Sequence, residues 1–215
     1  MIDLHTHSLF SDGELLPSEL IRRAQASGYD TVAITDHGDS SNLDWIIPRI
    51  VKVCRDVERY NKIRAVAGIE LTHLPPDLIF PMAQEARKMG ARIVVVHGET
   101  VVEPVPPGTN RKAIEAGVDI LAHPGLISEE EVSLAREKKV FLEITSRKGH
   151  SLSNGHVARL ALQAGAAMVL NSDSHLPEDL LSKETALKVA LGAGLTAADF
   201  SRMLENSREL LSRYF

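Results

Sequence analysis

The sequence has little of several features that would point to particular classes of protein. It holds one cysteine, Cys54, so no intramolecular disulfide can form, which fits a reducing compartment. It has only five Phe, three Tyr and one Trp, and its net charge is −5. No apolar run is long enough to cross a bilayer, and no basic-then-apolar leader opens the chain. We therefore expect a cytoplasmic protein without membrane contact. Long nucleic acid is not an expected partner, because phosphate steering and base stacking would both be weak.

Short apolar runs recur along the chain, with helical patterns between them. Each run is too short for a helix and is rich in Val, Ile and Leu, as strands buried in a parallel sheet are. The runs are 2–4, 31–35, 65–69, 92–96, 119–122, 140–144 and 167–170. No polar linker or low-complexity stretch interrupts them. We expect one domain over residues 1–215.

Helix boundaries can be predicted from local signals. Ser128 followed by Glu131 is a capping-box pattern. Glycines precede four of the runs, where helix C-termini favour them, at Gly28, Gly90, Gly117 and Gly165. Seven strand–helix units indicate an α/β protein built as a (β/α) barrel, with an open doubly wound sheet as the alternative.

Six of the nine histidines fall at strand ends, together with several acids. His5 and His7 follow the first strand, and Asp173 and His175 follow the last. Side chains two apart on extended backbone point the same way, so each pair can direct two ligands to one place. This pattern predicts a multinuclear metal site and favours the barrel, because a closed ring brings all strand ends to one mouth.

Some polar residues have roles that the pattern leaves open. His73, His150 and His156 lie away from strand ends, so we interpret them as structural, with His150 a candidate substrate contact. Asp36 and Glu143 could each be a ligand or could orient a histidine.

The motifs together resemble the PHP family, named for polymerase and histidinol phosphatase. They are Asp-Leu-His-Thr-His at 3–7 with Ser-Asp-Gly at 11–13, Ile-Thr-Asp-His at 34–37, Gly-Ile-Glu at 68–70, Ala-His-Pro-Gly at 122–125 and Asn-Ser-Asp-Ser-His at 171–175. The resemblance covers essentially the whole chain. It implies a distorted seven-stranded (β/α) barrel of the PHP type.

The resemblance also implies a ligand set for two to three divalent ions, which could be zinc, manganese or iron. One ion would be held by His5, His7, Glu70 and Asp173, a second by Glu70, His97 and His123, and a third by Asp12, His37 and His175. Many family members have histidine where this chain has Asp12. Aspartate is also a competent ligand, but the exchange makes the third ion the weakest member of the prediction.

Such a cluster suits hydrolysis of a phosphate ester. The hypothesis is in-line attack by a metal-bridging hydroxide, without a covalent intermediate, on a small phosphomonoester such as histidinol phosphate or a nucleotide. Asp12 or His175 would assist catalysis by supplying a proton to the leaving group. Arg147 and Lys148 are the first candidates for binding phosphate. Arg111 is the next, because it lies at a predicted helix start whose backbone N–H groups would be free.

Other functions remain open on the sequence alone. The family resemblance also allows a phosphodiesterase or 3′–5′ exonuclease acting on short oligonucleotides. A metal-dependent amidohydrolase is a further alternative, because such enzymes share the His-x-His motif, but they resemble an eight-stranded barrel. A non-catalytic metal-binding barrel is the remaining alternative. The oligomeric state is left undetermined.

Overall fold

The computed structural model describes all 215 residues and contains a parallel sheet of eight strands. The strands are β1 (Ile2–Asp3), β2 (Thr31–Ile34), β3 (His37–Gly38), β4 (Arg64–Leu71), β5 (Ile93–His97), β6 (Ile120–Ala122), β7 (Phe141–Thr145) and β8 (Met168–Asn171). Seven of them form one path in the order β1-β2-β4-β5-β6-β7-β8, and β3 pairs with the end of β4. All seven predicted strands are present, and β3 is an addition to the prediction.

The first and last strands come together at their C-terminal ends. Thr6 and Ser174 form a parallel bridge, the Asp173 amide donates to the His5 carbonyl at 3.0 Å, and the His7 amide donates to the Ser174 carbonyl at 2.8 Å. The sheet is therefore a nearly closed barrel, which confirms the predicted fold. Three predicted metal ligands, His5, His7 and Asp173, take part in the contacts that close it.

Helices cover the outside of the barrel. They are α1 (Pro17–Ala26), α2 (Leu43–Glu58), α3 (Ile79–Met89), α4 (Thr109–Glu115), α5 (Glu129–Lys138), α6 (Asn154–Ala164), α7 (Lys183–Gly192) and α8 (Ala197–Ser212). The capping box that the sequence predicts at Ser128 and Glu131 opens α5, where the Glu131 carboxylate accepts from the Ser128 amide at 2.9 Å. None of the helices is both long and apolar enough to cross a membrane.

Alternation along the strands separates the two faces of the sheet. On β5, Ile93 and Val95 belong to the apolar cluster inside the barrel, while Val94 and Val96 pack outward against the helices. The residue that continues the inward series is His97, which ends the strand. An apolar floor and a polar upper layer are thus built from the same face of one strand.

The N-terminal end of the barrel is closed by α8. Leu210 and Leu211 join the interior cluster of Ile2, Leu4, Ala33, Val66, Ile93, Val95, Ile120, Ala122, Phe141 and Val169. With this end filled by apolar side chains, the polar groups inside the barrel lie at its C-terminal mouth, where active sites of such barrels are found.

Candidate metal centre

Two buried carboxylates, Glu70 and Asp173, lie at the middle of the mouth. Glu70 Oε1 is 3.3 Å from His5 Nε2 and 3.6 Å from His123 Nε2. The Asp173 Oδ1 atom is 3.1 Å from His7 Nε2, and its Oδ2 atom is 3.6 Å from His123 Nε2. We call these five residues (His5, His7, Glu70, His123 and Asp173) the inner group.

The inner group contains polar atoms that are buried without a hydrogen-bond partner. They include His5 Nε2, both nitrogens of His7, both carboxylate oxygens of Glu70, His123 Nδ1 and Asp173 Oδ1. A buried polar atom without a partner costs on the order of 1–3 kcal/mol, and more when charged. Metal bonds of about 2.0–2.1 Å in tetrahedral geometry place neighbouring ligand atoms about 3.3 Å apart, close to the separations here. The residues therefore fit divalent ions.

Burial and neighbouring charges set the protonation of this group. Burial lowers the pKa of His123 well below its ordinary value, and the neighbouring His97 lowers it further. Burial opposes ionisation of Glu70, but His5 and His37 hold its pKa well below the ordinary value. A neutral imidazole and an ionised carboxylate are the forms that bind metal.

The backbone is strained at two of the predicted ligands. His123 has φ of 28° and Asp173 has φ of 53°, in a region that residues other than glycine rarely occupy. Gly125, two residues after His123, has φ of 62°, and a Cβ there would collide with the Glu99 carbonyl. Such strain persists where surrounding structure holds it and is typical of functional sites.

Asp12, His37 and His175 form a more open corner of the mouth. Asp12 Oδ1 lies 3.3 Å from His175 Nε2 and 3.5 Å from His37 Nε2, and the Asp12 side chain is 55% exposed. Their ligand atoms and one of His7 all lie within 4.8 Å of one another. Gly13 allows this arrangement, because a Cβ there would collide with the His7 carbonyl.

Glu143 and Asp36, whose roles the sequence left open, both support other residues of the site. Glu143 Oε1 lies 2.9 Å from His5 Nδ1 and accepts from Asn171, so it orients a predicted ligand. Asp36 accepts from the Ser8 amide and hydroxyl at 2.7 Å and from the Ser11 hydroxyl at 2.8 Å. Asp36 thus holds the loop that carries Asp12.

Three residues that the sequence did not assign to the centre border His97. Glu103 Oε2 lies 3.2 Å from His97 Nε2 and 3.1 Å from His73 Nε2, and the ring of His150 stacks on that of His123 with centroids 4.2 Å apart. None of the three ends a strand, and strand ends are where the sequence predicts ligands. The structural interpretation fits His156, which bonds to the Ile127 carbonyl at 2.7 Å.

The predicted phosphate-binding residues lie in different surroundings. Arg147 Nη1 is 3.3 Å from Asp179 Oδ2, and the same oxygen accepts from the His175 amide at 3.0 Å. Arg147 is therefore linked to the mouth, and Lys148, next to it, is exposed.

The prediction that backbone N–H groups are free at the helix start near Arg111 is wrong. The amides of Gly108 and Asn110 both donate to Glu99 Oε1, at 3.0 and 2.9 Å, because this carboxylate caps α4. Arg111 itself pairs with Glu115 on the same helix, its Nε atom 3.0 Å from Oε1.

Comparison with known proteins identifies the family. A model of the PHP domain matches residues 3–145. The chain belongs to the PHP family. An uncharacterized protein of Methanocaldococcus jannaschii is 49% identical over 214 residues, which cover 98% of each chain. A protein of Shewanella frigidimarina named as a probable phosphatase is 29% identical, over 98% of this chain and 91% of its own length.

Solved structures share this fold at lower sequence identity. A chain in the structure of archaeal ribonuclease P with mature tRNA has a TM-score of 0.74 at 16% identity, covering 99% of this chain and 90% of that one. An amidohydrolase has a TM-score of 0.67 at 14% identity, covering 100% of this chain and 74% of that one. These similarities concern the fold alone.

Proposed function

We propose that this PHP protein is a metal-dependent phosphoesterase that hydrolyses a small phosphomonoester, of the size of histidinol phosphate or a nucleotide. The observation that carries the proposal is the pair of buried carboxylates, Glu70 and Asp173. They face imidazole nitrogens, but neither Glu70 oxygen nor Asp173 Oδ1 accepts a hydrogen bond. Such a donor set suits two to three divalent ions, with zinc, manganese and iron all compatible. The names of several relatives as phosphatases support the same reaction class.

Divalent ions bound here would act as Lewis acids toward the phosphoryl oxygens and toward the attacking water. Asp12 is the most exposed predicted ligand, so substrate is expected to enter at its corner. Burial opposes the shift, but His175 and His37 hold the pKa of Asp12 below its ordinary value. Asp12 is then a carboxylate at neutral pH, which suits a ligand. His175 could protonate the leaving alkoxide only where no ion is bound at its Nε2 atom, because a metal-bound imidazole nitrogen carries no proton; otherwise the charge on that oxygen would be offset by the bound ions.

Arg147 is the group proposed to bind the substrate phosphate. Its side chain is 30% exposed, and its guanidinium is held by Asp179, which also accepts from the backbone amides of His175 and Leu176. An anchored guanidinium loses less side-chain freedom when it binds an anion. Lys148, on the same loop, would add a more mobile charge.

The second candidate is cleavage of a phosphodiester, including 3′–5′ exonuclease action on short oligonucleotides. It is favoured by a Bacillus subtilis relative named as a DNA polymerase and 3′–5′ exonuclease, which is 26% identical over 87% of this chain and 36% of its own length. The net charge of −5 disfavours a long polyanion but permits a dinucleotide.

The test is purified protein with its metal quantified, assayed against phosphomonoesters, dinucleotides and single-stranded oligonucleotides with Mn²⁺, with and without chelator. Chelator-sensitive release of phosphate from a monoester supports the proposal. Preferential cleavage of diesters would favour the second candidate instead. Bound metal without hydrolysis of any phosphoester would contradict both and indicate either a non-catalytic barrel or an amidohydrolase.

A further inference from the structure

Glu103 lies on the loop between β5 and α4 and faces three imidazoles. Its Oε2 atom is 3.1 Å from His73 Nε2 and 3.2 Å from His97 Nε2, and its Oε1 atom is 3.4 Å from His150 Nε2. Of the three, only His97 is a predicted metal ligand. We call Glu103, His73, His97 and His150 the rim group.

The contacts in the rim group repeat the pattern of the inner group. Only the His73 contact has hydrogen-bond geometry. His97 and His150 approach the carboxylate at 3.2 and 3.4 Å without it, as His5 approaches Glu70 at 3.3 Å. Separations of about 3.3 Å are those between neighbouring ligand atoms on a tetrahedral ion. The ligand atoms of His73, His97 and Glu103 all lie within 4.8 Å of one another, and His150 approaches the other oxygen of Glu103. A cation bound to this carboxylate therefore accounts for the contacts with His97 and His150 better than shared protons do.

His150 is oriented as a metal-binding histidine would be. Its Nδ1 atom is 2.7 Å from the Thr100 hydroxyl, so Nε2 is the nitrogen directed at Glu103. Histidine ligands commonly give their other ring N–H to an oxygen acceptor, which fixes both tautomer and ring angle. Stacking on His123 at 4.2 Å with an interplanar angle of 18° further restricts the ring.

The carboxylate of Glu70 contacts His5, His7, His37 and His123 within 3.6 Å, but makes no such contact with His97. His97 Nε2 has the carboxylate of Glu103 as its closest acidic neighbour. By position, His97 groups both with the rim and with His123 of the inner group, whereas the family resemblance pairs it with Glu70 and His123.

We propose that a divalent transition-metal ion binds the rim group through His73, His97 and Glu103, whose ligand atoms all lie within 4.8 Å of one another. His150, which approaches the other oxygen of Glu103, would be the fourth ligand. Three imidazoles and one carboxylate are a donor set suited to Zn²⁺. The exposed His73, with φ of 52°, would be the ligand most easily displaced. The inference extends the metal centre of the proposed function, but binding of this ion does not require that the protein hydrolyse phosphoesters.

The experiment is titration of chelator-treated, full-length protein with Zn²⁺ alone, using a chromophoric competitor for affinity and mass spectrometry for the number of bound ions. Glu103→Gln should bind one ion fewer per chain than the wild type, or should bind one ion at least about 100-fold more weakly. Glu137→Gln, which removes an equal charge from the exposed face of α5, is the matched control and should match the wild type.

A second variant and a second readout keep the test decisive. Asparagine suits the left-handed backbone at position 73, so His73→Asn should fold even if Glu103→Gln does not. It should lower the affinity for one ion alone. The visible spectrum of the Co²⁺-loaded protein should change in both variants, because each loses a ligand. Wild-type ion number, affinity and Co²⁺ spectrum in Glu103→Gln would overturn the site. Inactivity toward phosphoesters with the rim ion present would contradict only the proposed function.

Discussion

The two ends of the barrel interior use the same strand faces for opposite purposes. On β7, Phe141 belongs to the apolar floor, and Glu143, two residues later on the same face, lies beside His5 at the mouth. At the floor, burial is favourable for each side chain by itself. At the mouth, burial of carboxylates and imidazoles is unfavourable unless ions bind, because several of their polar atoms lie there without hydrogen-bond partners. The floor stabilises the fold, and the mouth depends on ions.

The largest expected effect comes from removing a central carboxylate. Asp173→Asn should lower kcat/KM for a phosphomonoester by at least about 1,000-fold, equivalent to about 4 kcal/mol, because an anionic ligand at the middle of the centre is lost. The measurement is steady-state kinetics at saturating Mn²⁺ with the bound ions counted. Activity within tenfold of the wild type would place Asp173 outside the centre.

A substitution in the apolar floor should change stability without changing metal binding. Leu210 is fully buried, so Leu210→Ala should lower the free energy of unfolding by about 2–5 kcal/mol through lost burial and a cavity. Metal content and kcat of the folded fraction should stay unchanged, as measured by denaturant unfolding with parallel assays. Leu191→Ala, at a side chain 49% exposed, is the control. A selective loss of metal in Leu210→Ala would mean that the two ends are not independent.

The pH dependence of folding stability should differ between the metal-free and the metal-bound protein. Burial, together with the carboxylates of Glu70 and Glu143, raises the pKa of Asp173 to about 7 in the metal-free chain. A carboxyl group with a raised folded-state pKa stabilises the protein below its unfolded pKa, and that stability is lost as pH rises through the folded value.

In chelator, the stability advantage of Asp173→Asn over the wild type should therefore grow between about pH 4 and pH 7, to a few kcal/mol. With metal bound the order should reverse, since ions need the ionised carboxylate. Thermal unfolding across pH, with and without metal, checks both signs. A pH-independent difference in chelator would contradict this account of the mouth.

The smallest effect is expected at the edge of the mouth. Arg147→Ala should raise KM for a phosphomonoester about tenfold with little change in kcat, because one charge-assisted hydrogen bond to phosphate is lost. Arg136→Ala, at an exposed position on α5, is a control for loss of charge. An unchanged KM in Arg147→Ala would remove this residue from the substrate site.

The sequence predicts the part of this architecture that depends on strand periodicity. On β4, Val66, Gly68 and Glu70 share one face, so a carboxylate above an apolar layer can be predicted from alternation alone. The seven barrel strands and the α5 capping box follow from similarly local patterns.

The remaining features depend on loop conformation, which alternation does not encode. Glu103 comes six residues after His97 and reaches it only because the loop after β5 folds back across the mouth. Glu99 follows the end of β5 by two residues, yet its role in capping α4 depends on the position of that helix. The turn at Asp173 likewise requires a positive φ that its residue type does not predict.

The most direct test of the central claim is the number of metal ions per chain in the purified protein, measured together with the chelator sensitivity of its phosphomonoesterase activity. The account predicts two to three ions per chain, and hydrolysis that chelator abolishes and Mn²⁺ or Zn²⁺ restores. A stoichiometry near one ion per chain, or hydrolysis that persists in chelator, would contradict it.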